Sequence, residues 1–268
     1  MLARCGIIFD MNFLVDSHCH LHDRQFFTEG AAEEALKNAE EMGVLQVICI
    51  GTDPKDSMMA KEFSERHAGV FWTYGVHPEE AEKDWGDFKF EKTEGLVAIG
   101  EVGLDYHYPG HNREKQIRLI ETMLDLATKL ELPCSFHVRD AFDDFFPVLD
   151  NFPKLLPSVF HSFSDSRENL EKVFSRGHFI GINGLITFAN LECFREMAPA
   201  ILERVVLETD APILTPVPKR GKINVSGNVK YVAEYLSDKL GVTSEEIAEK
   251  TTKNVQRIFN LPDTKLGA

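Results

Sequence analysis

Residues 11–22 read MNFLVDSHCHLH, and this stretch sets the reading of the whole chain. Residues 13–17 form a short apolar run that predicts a first β-strand. It passes straight into His18 and His20. Side chains two apart on a strand face the same way, so both imidazoles can reach one ion, while Cys19 points to the other side. Seven further β-branched, nearly continuously apolar runs follow, at 46–50, 70–76, 96–100, 133–138, 158–161, 178–182 and 205–207. Strands buried on both faces read this way in a parallel sheet. Between them lie segments with helical spacing. The clearest is 113–130, with Ile117, Ile120, Leu124 and Ala127 on one stripe and Asn112 as N-cap. A second, 31–42, is closed by Gly43, and a third, 54–67, starts on Pro54 at its first position. Thr243 and Glu246 form a capping box before Ile247, Val255 and Ile258. Eight strands alternating with helices predict an α/β fold, a single (β/α)8 TIM-type barrel. A doubly wound open sheet is the competing arrangement, but the chain has neither a G-x-G-x-x-G nor a phosphate loop.

Length and composition agree with one such unit. The chain has 268 residues, and a barrel of this kind takes roughly 250. The expected layout is an N-terminal extension over 1–10, dispensable for folding, a barrel over 11–262 and a tail over 263–268. The formal net charge is −14. That excludes a protein that coats nucleic acid with a broad basic surface, but not one that grips a few phosphates locally. Cysteines 5, 19, 49, 134 and 193 are an odd number with no C-x-x-C pair. This argues against a disulfide scaffold or a Cys-built zinc site and for a reducing, cytoplasmic location. No apolar run approaches a membrane span, and Asp10 breaks the apolar stretch that opens the chain.

The other strand ends repeat the theme of the first. Glu101 is expected to end the fourth strand, His137 the fifth, His161 the sixth, and Asp210 the eighth. In a barrel these ends share one face, the C-terminal mouth, where active sites of this fold are built. Six nitrogen and oxygen ligands (His18, His20, Glu101, His137, His161, Asp210) therefore converge there. Six exceed the need of one tetrahedral ion and suit two divalent ions bridged by a carboxylate and a water. Imidazole with carboxylate suits Zn, Mn or Fe, and a carboxylate-and-water sphere tolerates Mg, so the pair is expected to be Mg, Mn or Zn. Such a pair activates water and clamps the oxygens of a displacement. Asp210 is the best-placed general base.

The motifs DSHCHLH (16–22), GVHP (75–78), IGEVGLDYH (99–107), FHVRDA (136–141), HSFS (161–164), LETDAPIL (207–214) and NVQRIFNL (254–261) together resemble the TatD-type metal-dependent deoxyribonucleases of the amidohydrolase superfamily. The resemblance runs from Met11 to Leu261. It implies a TIM barrel with two divalent cations. His18, His20, Glu101 and Asp210 would hold one, and Glu101, His137 and His161 the other, with Glu101 as catalytic bridge. It also implies a Mg- or Mn-dependent DNase, a 3′-5′ exonuclease on single-stranded DNA ends, in the cytoplasm. Three positions depart from the family pattern: Asp165 stands for a Gly, Glu79 for a His, and Ser226 for a Pro. None removes a ligand, but all lie on expected mouth loops.

Around this set, Arg139 is expected to clamp phosphate, His77 to contact substrate, and Tyr106 to stack on a base. Asp105 would orient a ligand. Lys219, Arg220 and Lys222 are the basic cluster nearest the mouth. The function expected is hydrolysis of DNA phosphodiesters by a metal-activated water with Asp210 as base, with no membrane and no obligate protein partner. Hydrolysis of an ester, amide or lactone, including an aminoacyl-tRNA ester, on the same site is the first alternative. A non-catalytic binding protein on a barrel scaffold is the second.

Overall fold

The computed structural model of the protein describes residues 13–86, 91–195 and 198–263. The expected extension over 1–10 and nearly all of the expected tail fall outside them. Eight strands form one sheet in sequence order, every neighbouring pair parallel: β1 (Leu14–Cys19), β2 (Val44–Cys49), β3 (Val70–Tyr74), β4 (Leu96–Asp105), β5 (Cys134–Arg139), β6 (Val159–Phe160), β7 (Phe179–Ile182) and β8 (Val205–Leu207). The sheet curls until its ends meet. Asp210 N–H donates to the His18 carbonyl at 2.9 Å, and His20 N–H to the Ala211 carbonyl at 2.8 Å. The Asp16 carboxylate reinforces the seam by accepting from the Thr209 N–H and hydroxyl at 2.8 and 2.6 Å. This is the (β/α)8 barrel of TIM type that the alternation predicts.

Helices α1 (Glu29–Glu41), α2 (Pro54–Arg66), α3 (Arg113–Leu130), α4 (Phe142–Asp150), α5 (Arg167–Ser175), α6 (Val229–Leu240) and α7 (Ser244–Phe259) surround it. The sequence caps do their work. Asn112 Oδ1 accepts from Lys115 N–H at 3.1 Å, and Thr243 Oγ1 from Glu246 N–H at 3.1 Å, each worth about 1 kcal/mol. Among the described residues, two crossovers carry no α-helix. The β3–β4 link holds a single 3-10 turn, Pro78–Glu80, and the β7–β8 link three, Gly184–Thr187, Glu192–Phe194 and Pro199–Arg204. Alternate strand residues split between two clusters. Leu14, Val47, Cys49, Val205 and Leu207 pack with the helices, whereas Val15, Ile48, Ile50 and Val206 pack with Val255, Ile258 and Phe259 of α7. No helix among the described residues is long and apolar enough to cross a membrane.

One strand departs from expectation in a way that shapes the site. Glu101 does not end β4; the strand continues to Asp105, with a register shift against β5 between Ile99 and Val102. His137 likewise precedes the end of β5 by two residues. A β-carbon on Gly75 would lie 2.5 Å from the carbonyl carbon of Gly100, so the position just after β3 must be glycine for the Gly100–Glu101 peptide to approach. Glu101 N–H then donates across to the Gly51 carbonyl at 2.7 Å. The irregular backbone, anchored on the Gly51 carbonyl beyond β2 and closely approached by Gly75, fixes where the Glu101 side chain stands.

Candidate metal centre

Glu101 is 4 % exposed and stands among imidazoles. Its Oε1 lies 2.8 Å from His137 Nδ1, 2.7 Å from His161 Nε2 and 3.8 Å from His77 Nε2. Its Oε2 faces the other way, 3.5 Å from His18 Nε2. Asp210 Oδ1 completes that second side, 3.7 Å from His18 Nε2 and 3.6 Å from His20 Nε2. The carboxylate thus divides its oxygens between two groups of donors, as a carboxylate bridging two ions must.

For two of the rings the outer nitrogen holds a proton, which leaves the nitrogen aimed at the centre as the one able to ligate. A carbonyl can only accept, so the contact of 2.9 Å from His20 Nδ1 to the Ile50 carbonyl puts the proton on Nδ1 and leaves Nε2 free. Asp105 does the same for His137, accepting from Nε2 at 2.9 Å and turning Nδ1 inward. Asp105 is itself pinned from outside the barrel. Its backbone N–H and carbonyl pair with the amide of Gln116, a buried residue of α3, each at 2.9 Å. His18 Nε2 is buried and makes no hydrogen bond, a costly state for a polar atom unless an ion takes its lone pair. Ligands at about 2.1 Å from a tetrahedral ion stand about 3.4 Å apart, close to the spacings of His18 and His20 from the carboxylates. The donor set therefore fits divalent cations of the Zn, Mn or Mg kind.

The electrostatics follow from burial opposed by contact. Burial pushes the Glu101 carboxyl up, but His161, His137 and His18 outweigh it and hold the group well below its usual range. Asp210 behaves alike, with burial overcome by His20, His18 and His161. Burial takes His18 down to about 4, so its ring is neutral and able to ligate. For His137 burial is overridden by Asp105 and Glu101, which raise it to about 9. Asp210 also sits at φ +54°, in the left-handed region that Asp tolerates better than most residues. Its N–H on His18 and its carbonyl, which accepts from Ile213 N–H at 3.0 Å, hold it there.

Several ionisable groups beside the six went unread in the sequence. Glu208 is fully buried. Burial raises it to about 8, its Oε1 accepts from Ser162 N–H at 2.6 Å, and it stands 3.8 Å from His161 Nδ1. Asp16, also fully buried, is raised to about 7 by burial. His22 pairs with Asp56 at 3.1 Å, next to His20. The available signal was an acid directly following an apolar strand run, as in FLVDSH and VVLETD.

The three residues expected to meet substrate fall in different surroundings. The ring of His77 packs edge-on against His137 at 4.5 Å, and its Nδ1 accepts from Glu79 N–H, so it belongs to the ion-facing cluster. Arg139 is exposed, with its guanidinium 5.5 Å from the centre of the Tyr108 ring; Asp140 pairs instead with His107 at 2.9 Å. Tyr106 is half-buried, its hydroxyl donating to Asp144 at 2.9 Å and its ring stacked on His111 at 4.6 Å. The exposed aromatic residue of that loop is Tyr108. Three acids near the mouth are turned onto local partners: Asp144 onto Arg113, Asp140 onto His107, and Asp165 onto Ser166 N–H and Asn169.

The sequence profile of the TatD related DNase family matches residues 15–260. The chain is 33 % identical over 255 residues to the uncharacterized metal-dependent hydrolase YabD of Bacillus subtilis, covering 92 % of this chain and 99 % of that one. It is 33 % identical over 242 residues to the 3'-5' ssDNA/RNA exonuclease TatD of Erwinia tasmaniensis, covering 85 % and 93 %. Among solved structures, YJJV, a TatD homolog from Escherichia coli, superposes with a TM-score of 0.82 at 25 % identity over 94 % of this chain and all of that one. With the profile spanning the barrel and relatives at one-third identity over nearly their full lengths, the chain belongs to the TatD related DNase family of metal-dependent hydrolases.

Proposed function

We propose that the protein hydrolyses phosphodiester bonds at the 3′ end of single-stranded DNA, using two divalent cations, Mg, Mn or Zn. His18, His20, Glu101 and Asp210 hold one ion, and Glu101, His137 and His161 the other. The observation that carries this reading is the division of the Glu101 oxygens between His18 on one side and His137 and His161 on the other. The name of the Erwinia relative supports the choice of substrate.

Bound in this cluster, the ions would bring the pKa of a water toward neutral and offset charge on the phosphoryl oxygens. The protein's own residues do the rest. Asp210 turns one oxygen toward His18 and His20, which leaves the other to take the proton as the water oxygen bonds to phosphorus and the bond to the 3′ oxygen breaks, the departing 3′ oxygen taking up a proton from solvent. Asp105 keeps His137 in the ligating tautomer. Arg139 offers guanidinium donors to the phosphate, and His77 borders the place where the phosphate lands. The local pairing of Asp140, Asp144 and Asp165 limits their repulsion of an incoming strand.

The test is a rate measurement on single-stranded oligonucleotides after chelation and re-dosing with Mg, Mn or Zn. Restored, cation-dependent release of mononucleotides from the 3′ end is the expected result. Inactivity with every cation on every oligonucleotide would sink the reading.

A further inference from the structure

Six large apolar side chains that remain at least 40 % exposed, namely Phe26, Tyr108, Phe188, Ile213, Val217 and Ile223, lie on loops leaving the C-terminal ends of strands. Five of them sit on the neighbouring β7, β8 and β1 loops, and Tyr108 on the β4 loop opposite. Burying none of them costs the molecule hydrophobic stabilisation, and such a concentration marks a binding surface. Two of these rings are matched with arginines. Arg220 sits 3.8 Å from the centre of Phe188, and Arg139 sits 5.5 Å from the centre of Tyr108.

These arginines differ from several on the outer surface, although at the opposite end Arg204 and Arg257 likewise lie over a ring, that of Phe179. Arg66, Arg113 and Arg176 each pair with a carboxylate, Glu29, Asp144 and Asp150. Among the described residues neither Arg139 nor Arg220 has a carboxylate within 4 Å. In a chain of net charge −14, leaving two guanidiniums at the mouth without an acid preserves their charge for an outside anion. Both platforms are braced. Thr187 Oγ1 accepts from Val217 N–H at 2.9 Å, tying the Phe188 loop to the Arg220 loop, and Arg220 donates to the Thr215 carbonyl at 3.0 Å. Tyr108 rests against the His107 ring at 5.1 Å, and His107 is held by Asp140.

The β4 and β8 loops, which supply Tyr108 and Arg220, are four strands apart in a ring of eight and so face each other across the ion-facing cluster. We propose that Phe188 with Arg220 and Tyr108 with Arg139 are two base-stacking subsites. Each takes the face of an unpaired nucleobase on its ring while its guanidinium meets the adjoining phosphate. This inference rests on the nuclease reading and deepens it. The two platforms select single strands, because bases in a duplex have both faces covered by their neighbours. Stacking is indifferent to base identity, so the preference is for strandedness over sequence.

The experiment compares wild type, Phe188→Ala, Tyr108→Ala and the conservative Phe188→Trp and Tyr108→Trp. The probes are a fluorescein-labelled ten-residue oligothymidylate with phosphorothioate linkages, its abasic counterpart and its duplex with oligoadenylate, read by anisotropy with Mg. Circular dichroism melting of each variant reports folding. The expected result is a Kd weakened about tenfold by each alanine variant on the thymidylate, little change on the abasic strand, and recovery by Trp. With unmodified substrate KM should rise while kcat is kept. Equal loss on both probes, or no loss on either, in folded variants overturns the stacking subsites even if wild type cleaves DNA. Wild type that neither binds nor cleaves any oligonucleotide overturns the nuclease reading as well. Binding of the duplex as tight as the single strand overturns the strand preference.

Discussion

At the mouth of the barrel Glu101, Asp210 and Glu208 lie buried within 4 Å of an imidazole. At the opposite end His178, Ser158 and Asn254 are as deeply buried, but their hydrogen bonds run to backbone. Ser158 N–H donates to His178 Nδ1 at 3.1 Å, Ser158 Oγ to the Leu156 carbonyl at 2.8 Å, and Asn254 Nδ2 to the Leu202 and Val205 carbonyls at 2.8 Å each. The far end spends its buried polar groups on tying strand entrances together. The mouth gathers ionisable groups that satisfy one another only in part, leaving His18 Nε2 and Glu208 Oε2 without partners. One end is built for stability and the other holds chemistry that stability alone would not select.

Substitutions at the two ends should therefore fail differently. The largest effect is expected for Glu101→Gln, which removes the charge shared by both ion positions. Activity should fall at least about a thousandfold in steady-state assays while the fold persists. Asp210→Asn should lower kcat by about 10²–10⁴-fold. Asp105→Asn touches no ion but frees His137 from its fixed tautomer, and should weaken cation affinity about 10–100-fold by calorimetric titration. Asn254→Ala at the far end should do the reverse. It leaves two buried carbonyls unmatched and should cost about 3 kcal/mol in denaturant unfolding, with kcat of the folded enzyme intact.

The smallest expected effect is pH-dependent. Burial, followed by Arg176 and Arg204, lowers His178 to about 4 from an ordinary 6.5. The unfolded chain therefore binds the proton more readily. The stabilisation is whole above pH 6.5 and is lost as pH falls toward 4. It should shrink by about 2 kcal/mol between pH 7 and 5. A His178→Gln variant, compared with wild type in unfolding titrations at both pH values, should lack that increment. Equal pH dependence in the two proteins would mean that the far end also stores charge, and would break the contrast.

The two ends were also unequally legible in the sequence. The strands showed as apolar runs, and α2 opens on Pro54 with Asp53 as its cap, because local sterics and capping act on neighbours in the chain. The six mouth residues could be gathered because a parallel barrel brings all strand ends to one face. The rest needed tertiary contacts. Glu101 was expected at a strand end because the apolar run stops at residue 100, whereas the approach of Gly75 and the shifted β4–β5 register carry the strand on to Asp105. Glu208 lies two residues before Asp210 and was passed over because its role depends on Ser162 and Asn183, distant in sequence. Tyr106 and Tyr108 are equivalent in the sequence, and the contacts of Tyr106 with Asp144 and His111 make it the half-buried ring and Tyr108 the exposed one.

On the proposed reading Glu101, set between His18 on one side and His137 and His161 on the other, would serve two cations. Metal content per chain, measured by plasma mass spectrometry on wild type and Glu101→Gln after saturation with Mn and removal of free ion, tests it most directly. Two ions in wild type and fewer than one in the variant are predicted. Two ions retained by Glu101→Gln, or none held by wild type, would contradict it.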